Sequence, residues 1–144
     1  MLVRLMYASR TAADVDQDAL LAIVRQCKDN NPALGVTGLL CHCSSSGIFM
    51  QALEGGRSAV NQLYLKIAAD KRHTDVELLN YEEVTERRFA GWAMGQVNMT
   101  RLNPGLLLKY SATPTLDPYA MSGQAALALF DELVATASIM GERG

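Results

Sequence analysis

The chain opens on an alternation. From Leu2 to Ser9, Val3, Leu5 and Tyr7 fall on one side and Leu2, Arg4 and Met6 on the other, the period of a strand. Asp14 and Asp16 then offer N-caps to a helix whose apolar positions are Leu20, Leu21, Ile23, Val24 and Cys27. Asn30-Asn31-Pro32 predicts its end, because a residue before proline avoids the helical region. Two apolar runs follow, Val36 to Cys43 and Ile48 to Leu53, joined by Ser44-Ser45-Ser46-Gly47 in the pattern of a hairpin. Gly55-Gly56 predicts a break in the strand. Ser58 is placed to cap a second helix striped by Val60, Leu63, Tyr64 and Ile67. Further strands are expected over Val76 to Val84 and Phe89 to Val97. This order predicts an α+β fold, a ferredoxin-like βαββαββ plan with a five-stranded mixed sheet and two helices on one face.

After Asn98 the texture changes. Asn103-Pro104-Gly105, Thr113-Pro114 and Asp117-Pro118 punctuate a connecting stretch with a short helical turn around Leu106 to Lys109. Ser122 is expected to cap a last helix running towards Met140, with Ala126, Leu129, Phe130, Leu133, Val134 and Ala137 along one side. The expected division is a core domain over residues 1–97 and a C-terminal helical extension over 98–144, packing on the open face of the sheet.

Composition narrows the function. A net charge of −2 supplies no basic field, so neither nucleic acid nor an anionic membrane surface is an expected partner. The longest apolar stretch, Ala125 to Met140, carries Asp131 and Glu132 in its middle, so no membrane span is expected. Arg4 and Arg10 interrupt any signal-peptide pattern, and Cys27, Cys41 and Cys43 do not build a disulfide framework. A cytoplasmic protein is expected. Cys41 and Cys43 should share one strand face with His42 on the other, which reads as half-buried strand rather than metal site. There is no recognisable Ser-His-Asp set. Gly35 and Gly38 precede a strand rather than a helix, so they form no phosphate loop. No enzyme is expected.

The informative positions are polar groups where the pattern calls for apolar ones. Gln51 shares a strand face with Phe49 and Leu53, and an unpartnered buried amide costs about 1–3 kcal/mol. Tyr7 is likewise inside an apolar strand. Spacing alone reads the two as an inter-strand hydrogen bond, and Asn31 as a helix cap. It reads Lys66, Asp70, Arg72 and His73 as a solvated helix terminus, and Trp92 and Met94 as core on one strand face.

A resemblance changes these readings. Leu5-Met6-Tyr7-Ala8-Ser9, then Asn30-Asn31 and Gly35-Val36-Thr37-Gly38-Leu39-Leu40, resemble the opening of a BLUF domain, a blue-light sensor using FAD. Phe49-Met50-Gln51-Ala52-Leu53-Glu54-Gly55, Asp70-Lys71-Arg72-His73 and Arg88-Phe89-Ala90-Gly91-Trp92-Ala93-Met94 continue it in order. The stretch Leu107-Leu108-Lys109-Tyr110-Ser111 is similar to the tail of short stand-alone members.

The resemblance implies FAD as cofactor, with Tyr7 and Gln51 as a photochemical pair that exchanges an electron and a proton with the flavin and ends in rearranged hydrogen bonds. It implies Asn31 at the ring's pyrimidine edge with Asn30 also binding the cofactor, Lys66 and Asp70 at its other carbonyl, and Arg72 and His73 at the ring edge or phosphates. Ile23 and Ile67 would clamp the ring with Phe49 nearby, and Trp92 and Met94 would pass the signal on. Two departures stand out: Lys66 where some relatives carry arginine, and a longer hairpin at Cys41 to Gly47. A separate downstream signalling protein and a homo-oligomer are the expected partners. The alternative is a flavin-free ferredoxin-like domain that binds proteins or a small ligand.

Overall fold

Strand alternation builds one sheet, and both of its faces are covered. The computed structural model describes residues 1–12, 17–43, 46–97, 102–136 and 139–140. In chain order the elements are β1 (Leu2–Thr11), α1 (Gln17–Leu34), β2 (Thr37–Cys43), β3 (Ile48–Gly56), α2 (Arg57–Ala69), β4 (His73–Val84) and β5 (Gly95–Val97). Then come α3 (Pro104–Tyr110), a 3-10 turn (Pro118–Ala120), α4 (Gly123–Ala135) and β6 (Ile139–Met140). The strand order is β4-β1-β3-β2-β5-β6. Among the described residues only β2 and β5 pair in parallel; the other pairs are antiparallel. The expected five-stranded mixed sheet is present, extended by the two residues of β6.

Odd-numbered positions of β1 decide one core. Val3, Leu5 and Tyr7 pack with Phe49, Leu53, Leu40 and Met94 beneath Ile23 of α1 and Val60 of α2. The striped residues Leu63, Tyr64 and Ile67 close over it. Met6, Leu39, Cys41, Met50 and Ala52 point the other way, against Leu107, Leu116, Ala126, Leu129, Phe130 and Leu133. Burying a side chain such as Leu129 or Phe130 is worth about 1.5–3 kcal/mol, so this second core binds the tail firmly to the sheet. Tyr119 adds an edge contact: its hydroxyl donates to Asp75 O at 2.9 Å, and the Arg10 guanidinium lies 4.7 Å from its ring centroid.

Several boundaries differ from expectation. Asn30-Asn31-Pro32 does not stop α1, which holds Pro32 inside its last turn. The stop is Gly35, at φ +69°, with Gly35 N–H donating to Pro32 O and Val36 N–H to Asn31 O, a Schellman closure. Leu21 is exposed rather than core. Asp14, Asp16 and Ala137 lie outside the described residues, as do Ser44 and Ser45 of the hairpin and the side chains of Leu20 and Val24.

Gly55 and Gly56 continue β3, because they pair with Val3 and Leu2. Ser58 does not cap α2; the N-cap is Gly56, without a side-chain bond. Phe89 to Met94 is irregular, and β5 begins only at Gly95. Ser122 does cap α4, accepting from Ala125 N–H, but the helix ends at Ala135 and the chain returns as β6 to pair with β5. Among the described residues, no helix is long and apolar enough to cross a membrane.

A side chain at Gly38 would place its Cβ 1.9 Å from Ala52 O and 3.4 Å from Met94 Cε. Gly38→Ala should therefore wedge β2 from β3 and cost about 3 kcal/mol. Gly35→Ala meets open space and a left-handed backbone only, for about 1 kcal/mol. Urea unfolding of the two variants checks the order; a Gly35→Ala loss larger than that of Gly38→Ala contradicts this packing.

Candidate functional site

The antiparallel register sets Tyr7 directly opposite Gln51 on neighbouring strands, both facing α1 and α2. Both are buried, and the Tyr7 hydroxyl donates to Gln51 Oε1. Gln51 Nε2 donates to Met94 Sδ at 3.3 Å. Burial pushes the Tyr7 phenol well above its ordinary range, helped by Cys27, Tyr64 and Asp70, so the proton stays on Tyr7. The Tyr64 ring stands 5.6 Å from that of Tyr7.

Above this pair, between the C-terminal half of α1 and the end of α2, lies a cavity of about 240 Å³. Its walls include Ile23, Leu63 and Ile67, and its polar lining includes Asn30, Asn31, Lys66, Asp70, Arg72 and His73. Eight residues singled out by sequence thus meet around one space: Ile23, Asn30, Asn31, Lys66, Ile67, Asp70, Arg72 and His73. Asn31 is buried and donates to Ala93 O at 3.4 Å. Asp70 grips Arg72 as a fork, with Arg72 Nε 3.0 Å from both carboxylate oxygens, and Arg72 Nη2 reaches Gln26 Oε1 at 3.1 Å. That hydrogen bond to Arg72 holds the Asp70 carboxyl below its ordinary range. His73 Nδ1 is 2.9 Å from Ser9 Oγ, and burial holds this imidazole below its ordinary value.

Phe49 does not line the cavity. It packs beneath, with its ring edge-on to His73 at 5.2 Å. Trp92 and Met94 do not share a face either: Met94 joins the core under α1 and α2, while Trp92 joins the core under the tail. The period-two rule fails there because residues 85–94 are not a regular strand. Trp92 is tied instead by its carbonyl, which accepts from Gly38 N–H at 3.1 Å.

Sequence reasoning missed Gln26, Cys27 and Leu63 in the lining. Burial pushes the Cys27 thiol up, against a hydrogen bond with Gln51 that favours its charged form. The signal was available, since Ile23, Cys27 and Asn31 are spaced four apart on one helix face.

A flat heteroaromatic ligand suits this donor set, with aliphatic walls for its faces and amides, a guanidinium and an ammonium for its edge. The fold and site therefore define an α+β domain built around a ligand cavity and a buried tyrosine–amide pair. The family model for sensors of blue-light using FAD matches residues 2–95, and the chain belongs to this BLUF family.

Photoactivated adenylate cyclase subunit beta from Euglena longa is 37% identical over 94 residues, 65% of this chain and 11% of that protein. The alpha subunit from Euglena gracilis is 40% identical over 86 residues, 60% of this chain and 8% of that protein. The chain thus spans about a tenth of the length of these curated relatives. BlsA in its photo-activated state superposes with a TM-score of 0.82 at 27% identity, covering 100% of this chain and 99% of that chain. The dark state of BlrB, described as a BLUF protein, gives 0.74 at 30% identity, covering 94% and 96%.

The site carries a pH dependence of definite sign. Burial depresses the folded pKa of His73, so below about pH 6.5 the unfolded chain binds protons that the folded chain refuses. The stability is present in full above that value and falls with added acid. The urea midpoint should drop between about pH 7.5 and 5.5, and drop less in His73→Gln. An equal drop in that variant would place the effect elsewhere.

Proposed function

We propose that this chain is a blue-light receptor in which Tyr7 and Gln51 are the photochemical pair beneath a flavin held between α1 and α2. The observation that carries this reading is the buried bond from the Tyr7 hydroxyl to Gln51 Oε1, set under a cavity with a polar edge. FAD is the cofactor proposed, following the family's description. Ile23 and Ile67 would hold the ring faces. Asn30, Asn31, Lys66 and Asp70 would hold its polar edge, with Arg72 and His73 towards its side chain and Phe49 supporting His73 from below.

When bound and excited by blue light, the flavin supplies an electron-accepting centre close to the pair. Tyr7 is the electron donor. Its phenol is neutral at rest, and losing an electron makes the hydroxyl proton strongly acidic, so the proton passes along its hydrogen bond to Gln51 Oε1. Return of the electron and proton restores Tyr7. Gln51 is left as a rotated amide, with its donor and acceptor ends exchanged.

A thioether only accepts. Met94 Sδ therefore satisfies Gln51 Nε2 at rest and cannot satisfy an oxygen turned towards it. The resting contact is lost, and the segment carrying Met94 and Trp92 is released from one of its ties. In this reading residues 1–97 are the photosensory unit. Residues 98–144 are a helical extension that passes the change to a separate signalling protein, with no catalysis by the chain itself. A tenfold change in that protein's affinity needs only about 1.4 kcal/mol of differential binding.

Tyr7→Phe and Gln51→Ala should both bind flavin and both lose the reversible red shift under blue light. A full shift with dark recovery in either variant rejects its assigned role. Asn31→Ala should weaken flavin binding, read by titration of the apoprotein with FAD. Mass analysis of the extracted cofactor separates FAD from FMN, and a protein left colourless by excess FAD would reject flavin binding altogether.

A further inference from the structure

Residues 85–94 join β4 to β5 without regular strand pairing, yet they deliver two groups to the site: Met94 Sδ to Gln51 and Ala93 O to Asn31. Backbone that leaves the ladder must find partners elsewhere. Here it finds a side chain. Glu54, fully buried on β3, accepts from Arg88 N–H at 3.0 Å and from Phe89 N–H at 2.7 Å. The same carboxylate takes Arg4 Nε at 2.8 Å, and Arg4 in turn reaches Glu82 at 2.8 Å. The Arg87 guanidinium, next in the segment, bonds Thr37 Oγ1 at 3.0 Å and the Glu54 backbone carbonyl at 3.4 Å.

A buried carboxylate with its own buried arginine is a costly way to satisfy two amides, since a backbone carbonyl or hydroxyl would suffice. What the charge adds is strength, because hydrogen bonds to an ionised acceptor are shorter and about twice as strong as neutral ones. It acts at Arg88 and Phe89, upstream of Met94 in the same segment. At that same point Phe89 packs edge-on against Phe130 of α4 at 6.2 Å, and Arg88 pairs with Asp131 of α4. The segment is therefore fixed at Glu54, tied to the site at Ala93 and Met94, and in contact with the tail near its fixed end.

We infer that Glu54 is a positioning residue for the photochemical pair: its carboxylate anchors the segment so that Met94 reaches Gln51. This rests on the reading of Tyr7 and Gln51 given above. Weakening the anchor leaves Met94 poorly placed to accept from Gln51, which disfavours the resting orientation. Return to it after illumination slows, and the resting flavin spectrum is displaced.

The test uses the full flavin-loaded chain with four changes. Glu54→Gln weakens the bonds to Arg88 and Phe89 but leaves Arg4 buried without its charge partner. Arg4→Met/Glu54→Gln removes both charges, so the pair stays matched. Glu54→Asp keeps the charge and withdraws the carboxylate by one methylene. Arg4→Met alone spares the bonds to Arg88 and Phe89. The three Glu54 variants should slow dark recovery at least about threefold and displace the resting absorption maximum, in whichever of them fold. Arg4→Met should lower the unfolding temperature while recovery stays within about twofold of the parent.

If the Glu54 variants that fold recover at the parental rate with the parental spectrum, Glu54 is structural only and the inference is overturned. Equal slowing in Arg4→Met overturns it too, and so does failure of all three Glu54 variants to fold, which assigns the residue to folding. Tyr7→Phe, measured alongside, separates the two readings: a surviving red shift there rejects the photochemical pair rather than the anchor.

Discussion

A buried primary amide has one carbonyl oxygen and two N–H groups to satisfy, and nearly everything about this site follows from placing one at Gln51. The strong partner, Tyr7, comes from the neighbouring strand and is fixed by register. The weak partners are sulfurs, Met94 from a segment outside the regular sheet and Cys27 of α1. One side of the amide is thus held by a hydroxyl and the other by soft sulfurs. An amide with two strong partners would be locked, and one with none would not be tolerated.

The sheet keeps this site apart from the face that the tail covers. Because side chains alternate, Tyr7 and Gln51 face α1 and α2 while Met6 and Met50 face the tail. Among the described residues, no side chain of a regular strand belongs to both cores. The irregular run before β5 escapes that rule, placing Met94 in one core and Trp92 in the other within three residues. Crossing from site to tail is therefore a property of disrupted backbone. The helices on either side remain packed against their own faces.

Period and polarity explain how much of this was legible. β1, β2 and α2 followed their apolar spacing, and Tyr7 and Gln51 stood out as polar groups on apolar strand faces. The cavity lining near Asp70 to His73 was legible through family motifs, since spacing alone reads such a cluster as a solvated helix end. What stayed hidden depended on partners distant in sequence. The pairing of Gly55 and Gly56 with Val3 and Leu2 kept β3 going through two glycines. The Gly35 closure let α1 pass Pro32. The Glu54 carboxylate stood in for a strand partner at Arg88 and Phe89, so an apolar run that reads as strand does not form one. The period-two rule then put Trp92 and Met94 on one face where tertiary bonds separate them.

Among the described residues the outer strand β4 has no strand neighbour on its far side, and its twelve-residue edge invites another chain to add itself. The tail blunts that invitation. Tyr119 occupies the carbonyl of Asp75, Asn80 bonds Gly123 O at 3.3 Å, and Asp75 itself adopts φ +50°, which breaks the flat run of the strand. Glu77, Glu82 and Glu83 add like charges along it, which an identical strand would have to face. The extension that covers one face of the sheet therefore also guards its border, so detaching it would expose an aggregation-prone margin as well as an apolar core.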